Sequence, residues 1–399
     1  MRLTLLAAAC LLSAPIVAHA QATDAARRLA QDAIIVDTHI DAPGVLTDKW
    51  ADLAGAHKDR EFDYPKARAG GLDVAFMSIY TSPRQDADGS AWQAANAMID
   101  GVEALVQRHP GKFAILTSPG DATRLLEGGR VLLPLGMENG APLQDKLENV
   151  RFFFDRGVRY ITLAHSAANR LADSSYAAEK KWNGLSPFGR EVVAEMNRLG
   201  IMVDVSHLGD ASALEAIRLS KVPVIASHSA FRHFTPGFER NISDEIAKAV
   251  AARGGVVQVP FGTAFINPDS AADLQAQFRA RVAFDQRNLE LKAQGKPQED
   301  RAAFEKAWEQ AHPVRSSTLA QVLDQIDYGV KLLGVDHVGI GSDFDGVGGE
   351  LANELKTVAD FPNLVAGLQS RGHSDADIRK ILGGNLLRAW AAIEAGAGK

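Results

Sequence analysis

Short runs of apolar and β-branched residues recur along the chain, and each is followed by a stretch whose apolar positions return at helical spacing. The runs Ile34–Asp37, Val74–Tyr80, Val131–Leu135, Val158–Leu163, Ile201–Val205, Val222–Ala226, Gly255–Pro260 and Val338–Gly341 predict strands. Between them, Trp92–Gln107, Leu143–Asp155, Gly189–Leu199, Ala211–Leu219, Asp244–Ala252 and Thr318–Leu333 carry a helical period. Many of the strands lack polar alternation, the pattern of strands covered on both faces. Strand and helix in turn predict an α/β fold with a parallel sheet, and eight such units point to a closed (β/α)8 barrel of the TIM type.

One segment breaks the rhythm. Asn267–Arg315 is highly charged, rich in Gln and Ala, and lies between strands seven and eight. It predicts a helical insertion of one or two solvent-facing helices, broken near Gly295-Lys296-Pro297. Because it follows the C-terminal end of a strand, the end where barrel enzymes carry their sites, a lid or oligomer contact stands open beside a peripheral decoration. No repeat or low-complexity linker divides the chain, so residues 21–399 are expected to form a single barrel domain.

Composition alters this picture only at the edges. With 399 residues, 46% of them hydrophobic, the chain has material for one large core. A formal net charge of -6 speaks against nucleic acid or an acidic membrane surface as a partner, since neither is held without a cationic field. Residues 1–20 read as a secretory signal: Arg2, an apolar run, then Ala18-His19-Ala20 before Gln21. The run is short for a membrane span, and Pro15 and His19 weaken it further, so no integral span is expected in the mature chain. The expectation is a soluble, exported protein of a bacterial periplasm. "AAAC" around Cys10 faintly resembles a lipoprotein site but lacks the apolar residue three positions earlier, which makes a lipid-anchored form the weaker reading. Cys10 is the sole cysteine, so any metal in the mature domain must be held by His and carboxylates, the ligand set of hydrolytic rather than thiolate structural sites.

The candidate chemistry is positional. His39 and Asp41 close strand one, Glu138 follows strand three, His165 strand four, His207 strand five, His228 strand six, and Asp343 and Asp345 strand eight. In a closed barrel these ends converge on one face. A lone histidine there would suggest core packing, but six strand ends carrying metal-competent or proton-transferring groups indicate one site. His39 and Asp41, two apart at a strand end, point the same way and can reach one ion. Glu138 can bridge two ions, and His207 and His228 can serve a second. Two divalent ions about 3.5–4 Å apart can share a hydroxide and polarise a carbonyl. Asp343 could then shuttle the proton to a leaving amine, and His165 could donate to the oxyanion. Arg240 could clamp a substrate carboxylate, although its residue type and position alone favour a structural ion pair.

With these residues assembled, the chain resembles the membrane dipeptidase (renal dipeptidase) family of the amidohydrolase superfamily. The resemblance runs from "VDTHID" and "GGLDVAFMSIY" through "GMENG", "YITLAHSAANRLADSS", "GLSPFGREVVAEMNRLGIMVDVSH" and "PVIASHSAFR" to "GIGSDFDGV" and "GGNLLRAW". It implies a metallopeptidase cleaving small dipeptides with two Zn2+ ions: His39 and Asp41 on one, His207 and His228 on the other, Glu138 across both. It further implies His165 as an oxyanion and substrate contact, Arg240 as the carboxylate contact and Asp343 as the catalytic proton-transfer residue. The departures are the length of the Asn267–Arg315 segment and Phe265 where a substrate-contacting tyrosine is expected. Mammalian relatives also carry cysteines and a lipid-anchor signal that this mature chain lacks. Substrate preference (L,L or L,D), membrane attachment and disulfide-linked assembly therefore do not transfer, and a homodimer stays open.

The rival enzyme reading is another binuclear amidohydrolase acting on lactams, lactones or acylated amino acids. A non-catalytic periplasmic binding protein is a further rival, opposed by the completeness of the ligand set. His57, His109, His312 and His373 read as solvated surface residues, His337 as structural, and His233 as a residue that could line the pocket. Asp37 and Asp345 read as acceptors supporting the ligands rather than as ligands.

Overall fold

The computed structural model describes residues 22–398 apart from positions 178 and 314, so the expected signal segment and Cys10 lie outside the described residues. Ten strands form one parallel sheet: β1 (Ile35–Ile40), β2 (Leu72–Tyr80), β3 (Phe113–Ala114), β4 (Val131–Leu132), β5 (Leu135–Glu138), β6 (Val158–Thr162), β7 (Met202–Asp204), β8 (Val224–Ala226), β9 (Val256–Val259) and β10 (Val338–Ile340). Neighbours run β1-β2-β5-β6-β7-β8-β9-β10. The ring closes where the Asp41 amide donates to Phe344 O (2.8 Å), the Asp343 amide to His39 O (3.1 Å) and Thr38 Oγ1 to Ile340 O (3.1 Å). This is the eight-stranded α/β barrel that the hydrophobic pattern predicts.

Two strand expectations are corrected. The third barrel strand is not continuous. β4 and β5 are its halves, separated at Leu133-Pro134, where proline has no N–H to give to a ladder. β1 also runs on to Ile40, so His39 lies within it, as Glu138 lies within β5; the polar Asp37-Thr38-His39 hides the strand's continuation. The two-residue β3, paired with β4, is too short to leave a periodic signal.

Predicted helices form within two residues of expectation at Ala91–Arg108, Pro187–Leu199, Asp210–Leu219, Asp244–Ala252 and Leu319–Leu333. Pro187–Leu199 shows why: Ser186 accepts from the Gly189 amide, Pro187 takes the first helical position, and Gly200 ends the helix at φ 79°. Its buried face is Val192, Val193, Met196 and Leu199. Leu143–Asp155 is the exception, helical only over Glu148–Asp155 after a 3-10 turn at Ala141–Leu143.

The core has two layers. A large cluster lies between the strands and their surrounding helices, while a smaller one, containing Val36, Val74, Phe76, Leu132, Tyr160, Met202 and Ile225, is continuous with Leu386, Trp390 and Ile393 of the helix Asn385–Gly396. One face of β2 reads Val74, Phe76, Ser78, Tyr80, passing from the smaller core to the functional pocket at the period of two that a strand imposes. Gly136 on β5 is required by this interior: a Cβ there would lie 2.0 Å from the Tyr160 ring.

The charged segment folds as two helices, Pro268–Ala293 and Arg301–Ala311, separated around Gly295 as its composition predicts. It is not wholly solvent-facing, because Leu274, Gln277, Phe278 and Arg281 line a cavity shared with the strand ends. Among the described residues no helix is long and apolar enough to cross a membrane.

Candidate metal centre and substrate pocket

At the C-terminal rim of the barrel, imidazoles and carboxylates converge around Glu138. Its Oε1 lies 3.3 Å from His165 Nε2, 3.1 Å from His207 Nε2 and 3.3 Å from His228 Nε2. Its Oε2 accepts from Ser78 Oγ (3.2 Å) and lies 3.5 Å from His39 Nε2. The same His39 nitrogen is 3.4 Å from Asp41 Oδ2 and 4.0 Å from Asp343 Oδ1. All seven of these residues, expected from the sequence at strand ends, meet in one place. Among the described residues, three groups have ligand atoms close enough to share an ion: His39, Asp41 and Glu138; Glu138, His165 and His207; His39, His228 and Asp343. His165 therefore stands among the ligand atoms as well as at the cavity wall.

The supporting bonds orient these rings. Ser227 Oγ donates to Asp204 Oδ2 (2.6 Å) and so accepts from His228 Nδ1 (2.8 Å), leaving the Nε2 lone pair to face Glu138. Asp204 is itself held by Thr162 Oγ1 and the amides of Ser206 and Ser227. His39 Nδ1 contacts the Tyr160 hydroxyl at 2.7 Å. Asp37 Oδ1 accepts from the amides of His39 (3.1 Å) and Ser342 (2.9 Å), tying β1 to the loop after β10, and burial pushes its carboxyl up to about 6. His207, Asp343 and Asp345 have φ values of 66°, 69° and 62°, a left-handed conformation uncommon for such residues and concentrated here at the site.

Burial disfavours a charged His39, yet Tyr160, Glu138 and Asp41 hold it well above the usual imidazole range. Burial favours a neutral Glu138, yet His39 and His165 hold its carboxyl well below the usual range. Burial and the adjacent Asp41 drive Asp343 well above it. Burial, with Arg240 beside His207 and His39 beside His228, keeps both imidazoles neutral, the state in which they bind metals. The two Nε2 atoms lie 2.8 Å apart, and His39 Nε2 is buried without a hydrogen-bond partner. Lone pairs crowded onto buried carboxylates fit divalent ions, which stabilise both at once.

Asp343 is positioned by its loop. A Cβ on Gly346 would come within 2.2 Å of Asp41 Oδ2 and 2.5 Å of Asp343 Oδ1, so glycine is needed beside the two carboxylates. Asp345, expected as a supporting acceptor, receives the amides of Glu61 (2.9 Å) and Phe62 (3.3 Å), and its own amide donates to Glu61 Oε2. Burial pushes Glu61 up to about 7. As pH rises past the ordinary glutamate value near 4.5, the unfolded chain loses a proton that the folded chain keeps, so this group's contribution falls until about pH 7 and is level above. Glu61→Gln is therefore expected to raise thermal stability at pH 8, by on the order of 2 kcal/mol, with the gain vanishing below pH 4.5. Melting curves across pH check this; a gain independent of pH would assign it to another cause.

A cavity of about 480 Å3 opens over the centre, lined by Asp41, Glu138, His165, His207 and Asp343 and walled by Tyr80, Tyr176, Phe265, Phe278 and Val347. Arg240 is buried behind two of these lining residues, His207 and Phe265. The guanidinium donates to Ser229 Oγ (3.0 Å) and His228 O (2.9 Å), lies 2.9 Å from His207 Nε2, and sits 4.9 Å from the Phe265 ring centroid. No carboxylate of the described residues pairs with it, and its Nε is buried without a partner, so the structural ion pair expected from sequence alone is absent. Phe265, at the position where the resemblance leads one to look for tyrosine, both lines the cavity and covers this cation.

The remaining histidines are more engaged than expected. His57 contacts Asp52 O (2.7 Å), His109 pairs with Asp52 and His373 with Asp327, and His312 stacks on Trp308, so none is merely solvated. His337 bonds Gly255 O, as a structural residue would. His233 is exposed and stacks on Tyr328, away from the residues lining the cavity. Sequence reasoning missed Tyr80, Tyr160, Tyr176, Ser227 and Asp204. Tyr160 and Thr162 share one parity on β6, a signal that could have placed them inside the barrel. Tyr176 lies in a loop and carries none.

Residues 23–399 match the membrane dipeptidase family (Peptidase family M19). The probable dipeptidase PvdM from Pseudomonas aeruginosa has a similar structure, with a TM-score of 0.78, 28% identity, and coverage of 94% of this chain and 98% of that one. A metallo peptidase from Rhodobacter sphaeroides, solved with a phosphinate mimic of the dipeptide L-Ala-D-Ala, shares the fold at a TM-score of 0.72 and 23% identity, covering 90% of this chain and 99% of that one.

Proposed function

The chain belongs to the membrane dipeptidase family and is a metal-dependent dipeptidase; from that premise we propose a two-zinc mechanism with the following assignment of residues. His39 and Asp41 hold one ion, His207 and His228 the other, and Glu138 reaches both. The observation that carries the reading is the approach of imidazoles to both oxygens of Glu138, with His207 and His228 at Oε1 and His39 at Oε2. When bound, such a pair lowers the pKa of a shared water and polarises the scissile carbonyl.

The chain's own groups do the rest. Arg240, a buried cation lacking an anionic partner, receives the substrate's free carboxylate and orients the dipeptide. His165 donates to the oxygen that gains charge as the carbonyl is attacked. Asp343 takes the proton released at attack and delivers it to the leaving amine, which departs neutral. We further propose that the domain works in the periplasm after removal of residues 1–20, as their composition suggests.

The test is an assay of the zinc-loaded protein on dipeptides and on their C-terminal amides. Dipeptides should be cleaved about 10- to 100-fold more efficiently, the worth of a charge-assisted contact, and Arg240→Ala should erase that margin. Chelation should abolish both activities, and metal analysis should give two ions per chain. Faster turnover of uncharged lactones or lactams would move the assignment to another amidohydrolase chemistry.

A further inference from the structure

The cavity wall around Arg240 bears on which dipeptides the site takes, an inference that rests on the dipeptidase reading above. Leu274 and Phe278, four residues apart on the helix Pro268–Ala293, share a face of that helix and line the same cavity as Glu138, His165 and Asp343. The Phe278 ring stacks on Tyr176, with centroids 4.0 Å apart and planes at 26°. Tyr176 is buried near enough to Arg240 to feel its charge, and Phe265 covers the guanidinium at 4.9 Å. The surface adjoining the buried cation is thus aromatic and aliphatic, and half of it comes from the charged segment.

Geometry then orders the substrate. In a dipeptide the carboxylate and the C-terminal side chain share one carbon, so a carboxylate held at Arg240 leaves that side chain beside Phe265, Tyr176, Phe278 and Leu274. We propose that these four residues form the pocket for the C-terminal side chain, and that the enzyme prefers dipeptides ending in a bulky apolar residue. Polar groups of the same wall do not offer a second anion site. Arg281 is neutralised by two contacts to Glu305 (2.9 and 2.8 Å), while Glu309 and Glu350 repel an acidic side chain.

The experiment measures kcat/KM of the zinc-loaded enzyme for Ala-Gly, Ala-Leu, Ala-Phe and Ala-Glu. The expected result is an advantage of about 10- to 100-fold for Leu and Phe over Gly, with Glu poorest. In Phe278→Ala and in Leu274→Ala the Leu-to-Gly ratio should fall about tenfold, and Phe278→Leu should recover most of it. A ratio is insensitive to the folded fraction, so partial unfolding of one variant does not hide the answer. Turnover blind to the C-terminal side chain, or a ratio unmoved in both alanine variants, would overturn this proposal alone. Failure to cleave any dipeptide would overturn it together with the reading on which it rests.

Discussion

Replacing Glu138 by glutamine is expected to lower dipeptide turnover by about 10²- to 10⁴-fold and to cost the protein at least one of its ions. The carboxylate is the anion shared by His39, His165, His207 and His228, all with Nε2 within 3.5 Å of one of its oxygens. Removing one partner of such a buried charge cluster costs about 3–5 kcal/mol, because the others keep their desolvation without its compensation. Glutamine preserves shape and the contact with Ser78, so the loss reports charge rather than packing. Metal analysis after dialysis, paired with kcat/KM, checks it. Two retained ions and near-parental activity would remove Glu138 from the bridging role.

Asp343→Asn separates proton transfer from metal binding. Asp343 Oδ1 stands 4.0 Å from His39 Nε2, further than Asp41 or Glu138, and the residue lines the cavity. Asparagine fits the same space beside Gly346 but cannot carry a proton between water and amine. We expect kcat to fall about 10²- to 10⁴-fold, with KM little changed and the metal content intact. Loss of an ion in this variant would recast Asp343 as a ligand, and full activity would remove it from the proposed mechanism.

The barrel is legible in the sequence because burial on both faces leaves nearly unbroken apolar runs, and most helices carry their own caps. What escapes notice has a physical reason. The strand around Pro134 is interrupted by a missing N–H, while β1 reaches Ile40 through polar residues across a shift of register between Asp37 and Ile40. Of the site, the residues that bear chemistry are visible because strand ends place them together. The residues that orient them are not: Ser227 and Asp204 read as ordinary polar residues until the hydrogen bond to His228 Nδ1 is seen. Phe278 lies in a segment whose charge suggests solvent on every side, and only tertiary packing reveals its inward face.

The missing side chain at Gly136 has a consequence for how the centre is held. Because Tyr160 fills the space a Cβ would take and meets His39 Nδ1, the histidine on β1 is braced from within the packed barrel interior. The catalytic end can then stay stiff while the outer wall, carried on a surface helix, accumulates changes. Substrate range could drift through that helix over many generations without disturbing the chemistry beneath it.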